Sequence, residues 1–467
     1  MITVLPLDTP GLGDRSYLAH DGSVALVVDP QRDYDRITAR ADAAGVRITH
    51  VFETHIHNDY VTGGLALARA VGARYLVNAA DEVSYERTPV RDGEVVEVGT
   101  MRVRALHTPG HTHTHLSYAL EADGTQVAVF TGGSLLYGST GRPDLLGPRH
   151  TGVLARAQWR SARRLAEELP DEAAVYPTHG FGSFCSATQS GGVSSSIGAE
   201  RATNPALTSD EETYVERLLA GLDAYPAYYA HMGPANAAGP GAPDLSPPEA
   251  ADPAELRRRI EAGEWVVDLR DRTAFAAGHL AGSLNFGLDG QFVTYLGWLI
   301  PWGTPVTLLG ESREQVAGAQ REMVRIGIDR PAAMATGTPA DWTGGQPPAV
   351  LDRAVFADLA AALDGPDAPV VLDVRRDQER AEAHIPGSLH IPLHELPGRH
   401  DRIPAGRTVW VHCAGGYRAS IAAALLQARG HRVVAVDDGF GTALDLSLAT
   451  VPQNTATEAD TEEEIPA

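Results

Sequence analysis

A repeat in the second half of the chain constrains the fold more than any other feature of the sequence. The stretch VVDLRDRTAFAAGHLAGSLNF matches VLDVRRDQERAEAHIPGSLHI, so that Asp268 and Asp373 lie 105 residues apart, as do His279 and His384. Both copies open with a short β-branched strand, continue into helical patterns and later reach a second buried strand. Strands that alternate with helices predict two small parallel α/β domains side by side.

Length and composition predict about three domains for the 467 residues. A Gly/Ala/Pro-rich run, GPANAAGPGAPDLSPPEAADPAE, has no apolar periodicity and is typical of a linker. The predicted boundaries are a first domain at 1–232, a linker at 233–252, a first repeat at 253–345, a second repeat at 346–450 and an acidic tail at 451–467, which we expect to be disordered.

Charge and cysteine content exclude several classes of function. The net charge of −22 argues against nucleic acid and anionic membranes as partners. No segment reaches the ~18 apolar residues of a membrane span, and the N-terminal stretch lacks the basic and apolar regions of a signal peptide. Two cysteines far apart in sequence make a disulfide framework implausible, so we expect a cytoplasmic protein. The sequence leaves the oligomeric state open, a homo-oligomer included.

The second repeat contains a cysteine in a loop suited to bind negative charge. In TVWVHCAGGYRASIAAALLQARG a buried strand ends at His412, a loop covers residues 413–418, and a helix follows. Backbone N–H groups of such a loop and the helix N-terminus stabilise an anion. Gly415 and Gly416 can adopt positive φ, which lets those amides converge, and we expect a lowered pKa for Cys413 and Arg418 as a cation at the rim.

This loop resembles the active-site loop of the rhodanese family, and the resemblance covers both repeats. It implies that Cys413 carries a sulfane sulfur as a persulfide, with Arg418 assisting, inside a sulfur-binding loop formed by Ala414, Gly415, Gly416 and Tyr417. A Cys-dependent phosphatase would have the spacing C-x5-R, whereas this loop has C-x4-R. An inert buried thiol is the third interpretation. The first repeat has no cysteine near residues 310–315, which predicts a spacer or docking domain.

The first domain has histidine-rich turns after short strands. The stretch ETHIHNDYVTGG contains His55, His57 and Asp59 of the metal-binding pattern H-x-H-x-D-H. Tyr60 stands in place of the last histidine of that pattern. TPGHT, FTGGSLLYGSTGRPDLLG and YPTHG follow in that order. Strands such as SVALVVD, MRVRAL and QVAVFTG alternate with two helical stretches. The pattern predicts a layered α/β fold with its site on loops at strand ends.

These four segments resemble the metallo-β-lactamase fold, and more narrowly the persulfide dioxygenases of the ethylmalonic encephalopathy protein type. The resemblance implies an α/β fold: a metallo-β-lactamase αββα sandwich followed by two rhodanese-like parallel α/β domains. It also implies one Fe(II), with zinc as the alternative, and oxidation of a low-molecular-weight thiol persulfide by O2 to sulfite. The rhodanese would then pass sulfane sulfur to sulfite and form thiosulfate.

Two residues depart from the pattern of this family. Tyr60 replaces the imidazole that serves a second metal, which favours a mononuclear centre. Gly133, in TGG, replaces the aspartate that is the family's third ligand. His55 and His111 match the expected ligands, and His57 or Asp59 could complete the set. The stretch GRPD matches the family's substrate pocket, so the resemblance implies a pocket that contains Arg142, Asp144 and His179. Cys185, after the fourth motif, either lies at the edge of this pocket or is a small buried residue.

Three functions are compatible with these patterns. The first is a persulfide dioxygenase coupled to sulfur transfer through Cys413. The second is a sulfurtransferase whose first domain is degenerate and poor in metal, since the aspartate is missing at Gly133. The third is a mononuclear zinc hydrolase of a thioester, with zinc held by three histidines.

Overall fold

The computed structural model describes residues 2–187 and 192–452, and the chain forms two compact units. Unit 1 contains Met1–Asp271 and Phe286–Pro347, and unit 2 contains Arg272–Asn285 and Pro348–Ala467. The boundaries predicted from composition stay predictions. The acidic tail predicted at 451–467 lies outside the described residues apart from Val451 and Pro452.

Two six-stranded sheets form the first part of unit 1. The first sheet, in the order β1-β2-β3-β4-β5-β6, contains β1 (Thr3–Thr9), β2 (Asp14–His20), β3 (Val24–Val28), β4 (Arg47–Phe52), β5 (Arg74–Asn78) and β6 (Thr88–Val90). The second, in the order β12-β11-β10-β9-β8-β7, contains β7 (Val95–Val98), β8 (Met101–His107), β9 (Leu116–Ala122), β10 (Thr125–Gly132), β11 (Ala174–Pro177) and β12 (Ser195–Ser196).

Helices cover the outer faces of these sheets. They are α1 (Asp35–Ala44), α2 (Gly64–Val71), α3 (Pro148–Glu168), α4 (Ile197–Thr203), α5 (Pro205–Thr208), α6 (Glu211–Ala220) and α7 (Tyr229–Ala238). Pro148 at the first turn of α3 lacks only an N–H that would be unpaired there. The helix α7 extends into the run that was predicted to be a linker from residue 233, and Asn236 in it is buried.

The core between the two sheets is aromatic. Tyr17 and Phe52 of the first sheet pack in one cluster with Tyr118 and Phe130 of the second, and the rings of Phe52 and Tyr118 meet edge to face at 4.9 Å. Two further clusters lie between the first sheet and α1 and α2, and between the second sheet and α3 and α6. This is the αββα sandwich that the sequence predicts, and the predicted fold class is confirmed.

The first repeat follows as a series of short strands and helices. Its elements are α8 (Pro253–Glu261), β13 (Trp265–Asp268), α9 (Arg272–Ala277), β14 (Leu284–Asn285), α10 (Phe292–Leu299), β15 (Val306–Gly310), α11 (Arg313–Arg325), β16 (Ala333–Thr336) and α12 (Pro339–Trp342). Within unit 1, β13 pairs with β15 and β15 with β16, all in parallel. The side chains of Asp252 and Ser312 cap α8 and α11.

The second repeat forms a five-stranded parallel sheet in unit 2, in the order β17-β21-β20-β18-β19. Its elements are β17 (Asp352–Ala354), α13 (Phe356–Leu363), β18 (Val370–Asp373), α14 (Asp377–Glu382), β19 (Leu389–His390), α15 (Leu396–Arg399), β20 (Val409–His412), α16 (Tyr417–Ala428), β21 (Val433–Val436) and α17 (Phe440–Asp445), with 3-10 turns at Leu393–Glu395 and His400–Arg402. Among the described residues, no helix is both long enough and apolar enough to cross a bilayer.

A buried ion pair joins the sandwich to the first repeat within unit 1. Arg325 at the end of α11 donates to both carboxylate oxygens of Asp33, at 3.0 and 2.7 Å, and both side chains are buried. Val61 also donates its backbone N–H to the carbonyl of Arg325 at 2.7 Å. Arg36 also contacts Asp33, at 2.7 Å, so the buried carboxylate is shared by two guanidinium groups.

We predict that Arg325→Ala destabilises unit 1 by about 2 kcal/mol, because the Asp33 carboxylate loses two charge-assisted hydrogen bonds and keeps Arg36 as a close cation. Urea unfolding followed by tryptophan fluorescence measures the change. The control is Arg91→Ala, which removes an exposed ion pair with Glu94 of 3.7 Å and should cost less than about 1 kcal/mol. Equal unfolding midpoints for the two variants would contradict the importance of the buried pair.

Candidate metal centre and sulfur-binding loop

Loops at one edge of the sandwich bring the four histidine motifs together. Residues 55–59 follow β4, His111 lies between β8 and β9, Gly133 follows β10, and His179 follows β11. Among the described residues, three overlapping groups could hold a metal ion: His55 with His111 and His179; His57 with Asp59 and His179; and Asp29 with Glu53 and His57. All of these side chains are buried.

The first group consists of three imidazoles, each with one ring nitrogen that forms no hydrogen bond within the protein. The Nε2 atoms of His55, His111 and His179 are buried and have no hydrogen-bond partner. The Nδ1 atom of His111 donates to the carbonyl of Arg142 at 2.9 Å, so its Nε2 carries the lone pair. Burial, and then the neighbouring His179, lower the pKa of His111 to about 3. Burial likewise holds the pKa of His55 well below its usual range.

The ring of His57 is held through its Nε2 atom, which lies opposite the Nδ1 atom that has no partner. Its Nε2 lies 3.0 Å from the hydroxyl of Tyr60, 3.2 Å from Glu53 and 3.3 Å from Asp29, while its buried Nδ1 has no hydrogen-bond partner. Burial favours the neutral ring, but Asp29 and Glu53 outweigh it and raise the pKa of His57 to about 9. A carboxylate behind an imidazole is a common support for a metal-binding histidine.

His179, predicted to line the substrate pocket, lies instead among the candidate ligands. Its Nδ1 is 2.9 Å from Asp14 and 3.1 Å from Asp59. Burial opposes charge on the ring, but the two carboxylates outweigh it and raise the pKa of His179 to about 10. Burial also raises the pKa of Asp59, yet the adjacent His179 outweighs burial and lowers it. Burial and the charge of Asp59 raise the pKa of Asp14 to about 7.

Tyr60 is a poor replacement for a metal ligand. Its hydroxyl donates to the carbonyl of Asp29 at 3.3 Å and contacts the Nε2 of His57. Burial holds the pKa of this phenol well above its usual range, so the ring stays protonated. The position that would serve a second metal is therefore occupied by a neutral hydrogen-bonding group.

The imidazole of His111 packs against Gly133, where the expected aspartate is missing. A β-carbon built on Gly133 would lie 2.4 Å from Cδ2 of His111, and one on Gly141 would lie 2.8 Å from its Nδ1. The ring is therefore enclosed by two glycines. The N–H of Gly133 donates to Nε2 of His115 at 3.0 Å, which gives His115 a supporting role.

The other predicted pocket residues form the support of His111. Arg142 is 3% exposed, and its guanidinium donates to Asp144 at 2.7 and 2.8 Å and to the carbonyls of Phe184 and Asp223. The N–H of Arg142 donates to the carbonyl of Cys185 at 2.9 Å. Cys185 is buried, and burial, with the nearby Asp59, raises the pKa of its thiol well above the usual range.

The residues of this edge suit a metal ion. Four buried imidazole nitrogens without partners, together with the carboxylate of Asp59, form a donor set that both iron and zinc accept. His55, His111 and His179 form the tightest all-histidine group. Buried polar atoms rarely lack a partner in folded proteins, so this concentration indicates a site for an ion.

Several supporting residues were missed by sequence reasoning. Asp29, directly after β3, accepts hydrogen bonds from the N–H and hydroxyl of Thr54 and from the hydroxyl of Thr178. Asn236 donates to the carbonyls of His57 and Tyr60 at 2.8 Å. Asp29 and Asp14 could have been found as charged residues at strand ends. Asn236 lies in a run that resembles a linker and gave no signal.

The second repeat presents Cys413 as predicted, at the end of β20. The sulfur accepts the N–H of Gly416 at 3.1 Å, and Ala414 and Gly415 above it are exposed. Gly416 has φ +90 and Gly415 does not have positive φ, so one left-handed residue turns the amide toward the sulfur. A β-carbon at Gly416 would also lie 2.1 Å from Asp437. Tyr417 begins α16.

Arg418 forms an ion pair instead of an isolated positive charge at the rim. Its two terminal nitrogens donate to the two oxygens of Glu379, each at 2.6 Å. Burial raises the pKa of Glu379, but Arg418 outweighs this effect and lowers it to about 2. The pair joins α14 to the start of α16 and so fixes the C-terminal end of the Cys413 loop.

The first repeat has no counterpart of the Cys413, Arg418 and Glu379 side chains. Asp268 lies opposite Leu309 on the neighbouring strand, and in the second repeat Asp373 lies opposite His412 in the same way. Gly310, the residue after Leu309, therefore occupies the position of Cys413. By the same alignment Gln315 replaces Arg418 and Ala274 replaces Glu379. A β-carbon on Gly310 would lie 3.0 Å from the side chain of Gln315, so the space for a sulfur atom is filled.

We predict that Gly133→Asp weakens metal binding by at least about tenfold instead of restoring a ligand, because its β-carbon displaces the ring of His111. Metal titration followed by calorimetry measures the affinity. Gly152→Asp is the matched control, since Gly152 is exposed on α3 and has no atom within 4 Å of its β-carbon position. Tighter metal binding by Gly133→Asp would contradict this packing argument.

Comparison with known proteins agrees with the architecture. Residues 10–179 match the Metallo-beta-lactamase superfamily, and residues 252–340 and 356–442 match the Rhodanese-like domain. Hydroxyacylglutathione hydrolase from Polaromonas sp. is 32% identical over 160 residues, which cover 34% of this chain and 57% of that protein. The matched region thus spans less than two thirds of that relative.

Solved structures show the same likeness. A metallo-beta-lactamase from Staphylococcus aureus subsp. aureus COL is 27% identical with a TM-score of 0.65, covering 72% of this chain and 99% of that chain. ETHE1 from Myxococcus xanthus is 29% identical with a TM-score of 0.44, covering 50% of this chain and 98% of that chain. The chain therefore carries a metallo-β-lactamase domain with a buried His/Asp site, followed by a rhodanese-like region in two segments.

Proposed function

We propose that the chain is a persulfide dioxygenase coupled to a rhodanese sulfurtransferase. The observation that carries this proposal is Tyr60: a protonated phenol occupies the place of a second-metal ligand beside a buried set of imidazoles with free nitrogens. Such a set suits one metal with open positions, as oxygenases require. The sulfur-binding loop of Cys413 on the same chain supports a sulfane-sulfur substrate.

Two consecutive sulfur reactions make up the proposed function. A low-molecular-weight persulfide RSSH reacts with O2 and water to give RSH and sulfurous acid, so that the terminal sulfur is oxidised and O2 is reduced. In the second reaction, the persulfide on Cys413 transfers its outer sulfur to sulfite, which gives thiosulfate and a free Cys413 thiolate. The product of the first domain is thus an acceptor for the second.

The residues of the metal site have separable roles in this proposal. His55, His111 and His179 would hold the ion, with His57 or Asp59 able to approach it. A bound Fe(II) ion would supply coordination positions for O2 and the persulfide sulfur and would let electrons pass from that sulfur to O2. The carbonyl of Arg142 fixes the ring of His111, and Asp14 fixes that of His179. Both supports set which nitrogen carries the lone pair.

The loop of Cys413 stabilises negative charge on sulfur. The N–H of Gly416 donates to the sulfur, and the N-terminus of α16 adds its positive end. The Arg418–Glu379 pair keeps the loop in place.

A thioester hydrolase is the second candidate function. The sequence identity of 32% to a hydroxyacylglutathione hydrolase favours this function, and zinc accepts a site of three histidines. Hydrolysis of S-acyl thiols without oxygen would identify this activity. A metal-poor first domain is less compatible with the geometry, because four buried imidazole nitrogens would then lack partners permanently.

We predict that iron-loaded protein binds about one metal per chain and consumes O2 when given glutathione persulfide, because one donor set is complete. Metal analysis and an oxygen electrode provide the two measurements. The thiol without its persulfide sulfur is the control. Oxygen uptake no greater than that control would eliminate the dioxygenase, and substoichiometric metal would favour a sulfurtransferase alone.

We predict that Cys413→Ser abolishes sulfur transfer from thiosulfate and leaves oxygen consumption unchanged, because serine cannot carry a sulfane sulfur. Thiocyanate formation measures transfer. The matched variant Cys185→Ser should retain transfer, since Cys185 lies in the other unit. Loss of both activities in Cys413→Ser would contradict independent sites.

A further inference from the structure

We propose that the cysteine-less repeat positions the metal centre, and that Trp298 is the residue through which it acts. The proposal rests on the metal site described under the proposed function. This repeat lacks the sulfur-loop cysteine, arginine and glutamate, so sulfur transfer does not explain its retention. Instead, its helix α10 and the end of α11 contact the segments that contain the residues supporting the metal-site histidines.

The first contact is aromatic and lies beside Cys185. The ring of Trp298 meets that of Phe184 edge to face, with centroids 5.0 Å apart, and Trp298 is buried. Such a pair adds to the packing already gained by burying both rings. Phe184 directly precedes Cys185 in a segment without regular secondary structure. The side chain of Trp298 therefore adds a packing contact to a loop that backbone hydrogen bonds also hold in place.

This segment is linked to a metal-site histidine in two steps. The carbonyl of Phe184 accepts from the guanidinium of Arg142 at 3.2 Å, and the carbonyl of Cys185 accepts from its N–H at 2.9 Å. The carbonyl of Arg142 then accepts the Nδ1–H of His111 at 2.9 Å. A displacement of Phe184 is therefore transmitted to the orientation of the imidazole.

Two further contacts from the same repeat reach other parts of the site. The hydroxyl of Thr294 on α10 donates to the carbonyl of Gly11 at 2.9 Å, three residues before Asp14. The carbonyl of Arg325 accepts the N–H of Val61, which follows Tyr60. The repeat thus contacts the chain next to the supports of three of the histidines: His111, His179 and His57.

The accessibility of Cys185 tests this proposal without substrate or metal. In a Cys413→Ser background Cys185 is the remaining thiol, and it is fully buried. We expect Trp298→Ala to speed its reaction with Ellman's reagent at least about tenfold, because the Phe184 segment opens more often. Trp298→Phe should restore most of the protection, since a ring still packs against Phe184.

The control is Val267→Ala, which weakens the same repeat at β13, in its own core. Equal acceleration in Val267→Ala and Trp298→Ala would overturn the proposal, because protection would then follow only the stability of the repeat. No acceleration in Trp298→Ala would overturn it as well. Both results are independent of whether the protein consumes oxygen.

A spectroscopic measurement separates positioning from stability. Co(II) added to the full chain should give d–d absorption bands that report ligand geometry. We expect Trp298→Ala to alter these bands and to weaken Co(II) binding at least about tenfold, Trp298→Phe to restore them, and Val267→Ala to leave them unchanged. Bands identical in Trp298→Ala and the parent chain would overturn the link to His111.

Discussion

The buried carboxylate of Asp29 is the interaction on which the site depends. It accepts hydrogen bonds from Thr54, beside His55, and from Thr178, beside His179, and it contacts the ring of His57. Charge-assisted bonds in a dry interior are strong. Asp29 also has φ +51, in the left-handed region that aspartate adopts more often than most residues do. One residue at the end of β3 thus fixes the segments that supply most of the histidines.

The two departures from the family pattern have different structural consequences. Tyr60 keeps the hydrogen bonds of its position but brings no ligand, so it preserves the support of His57. Gly133 removes a carboxylate and admits the ring of His111 into its place. Under the proposed function, the first change favours a single metal, whereas the second changes which side chains would surround it. Together they favour a site built mainly from imidazoles.

The sequence allowed the fold class, the histidine edge and the cysteine loop to be predicted, because each is encoded in contiguous residues. The repeat predicted parallel sheets, and the four motifs predicted a layered sandwich. Long-range partners were not predictable: Asp14, Asn236 and Glu379 act on residues far away in the chain, and no local pattern reports such pairing. The ligand-like place of His179 was missed for the same reason, since it depends on two carboxylates from other segments.

The division of the chain into units has a consequence for its synthesis. Unit 2 includes Arg272–Asn285, which is flanked on both sides by residues of unit 1. Because domains fold largely in the order in which the ribosome releases them, unit 1 can close once residue 347 has emerged. The enclosed segment must then wait for Pro348 and the residues beyond it. We therefore expect a nascent chain in which unit 1, with its buried histidines, is folded while unit 2, with Cys413, is incomplete.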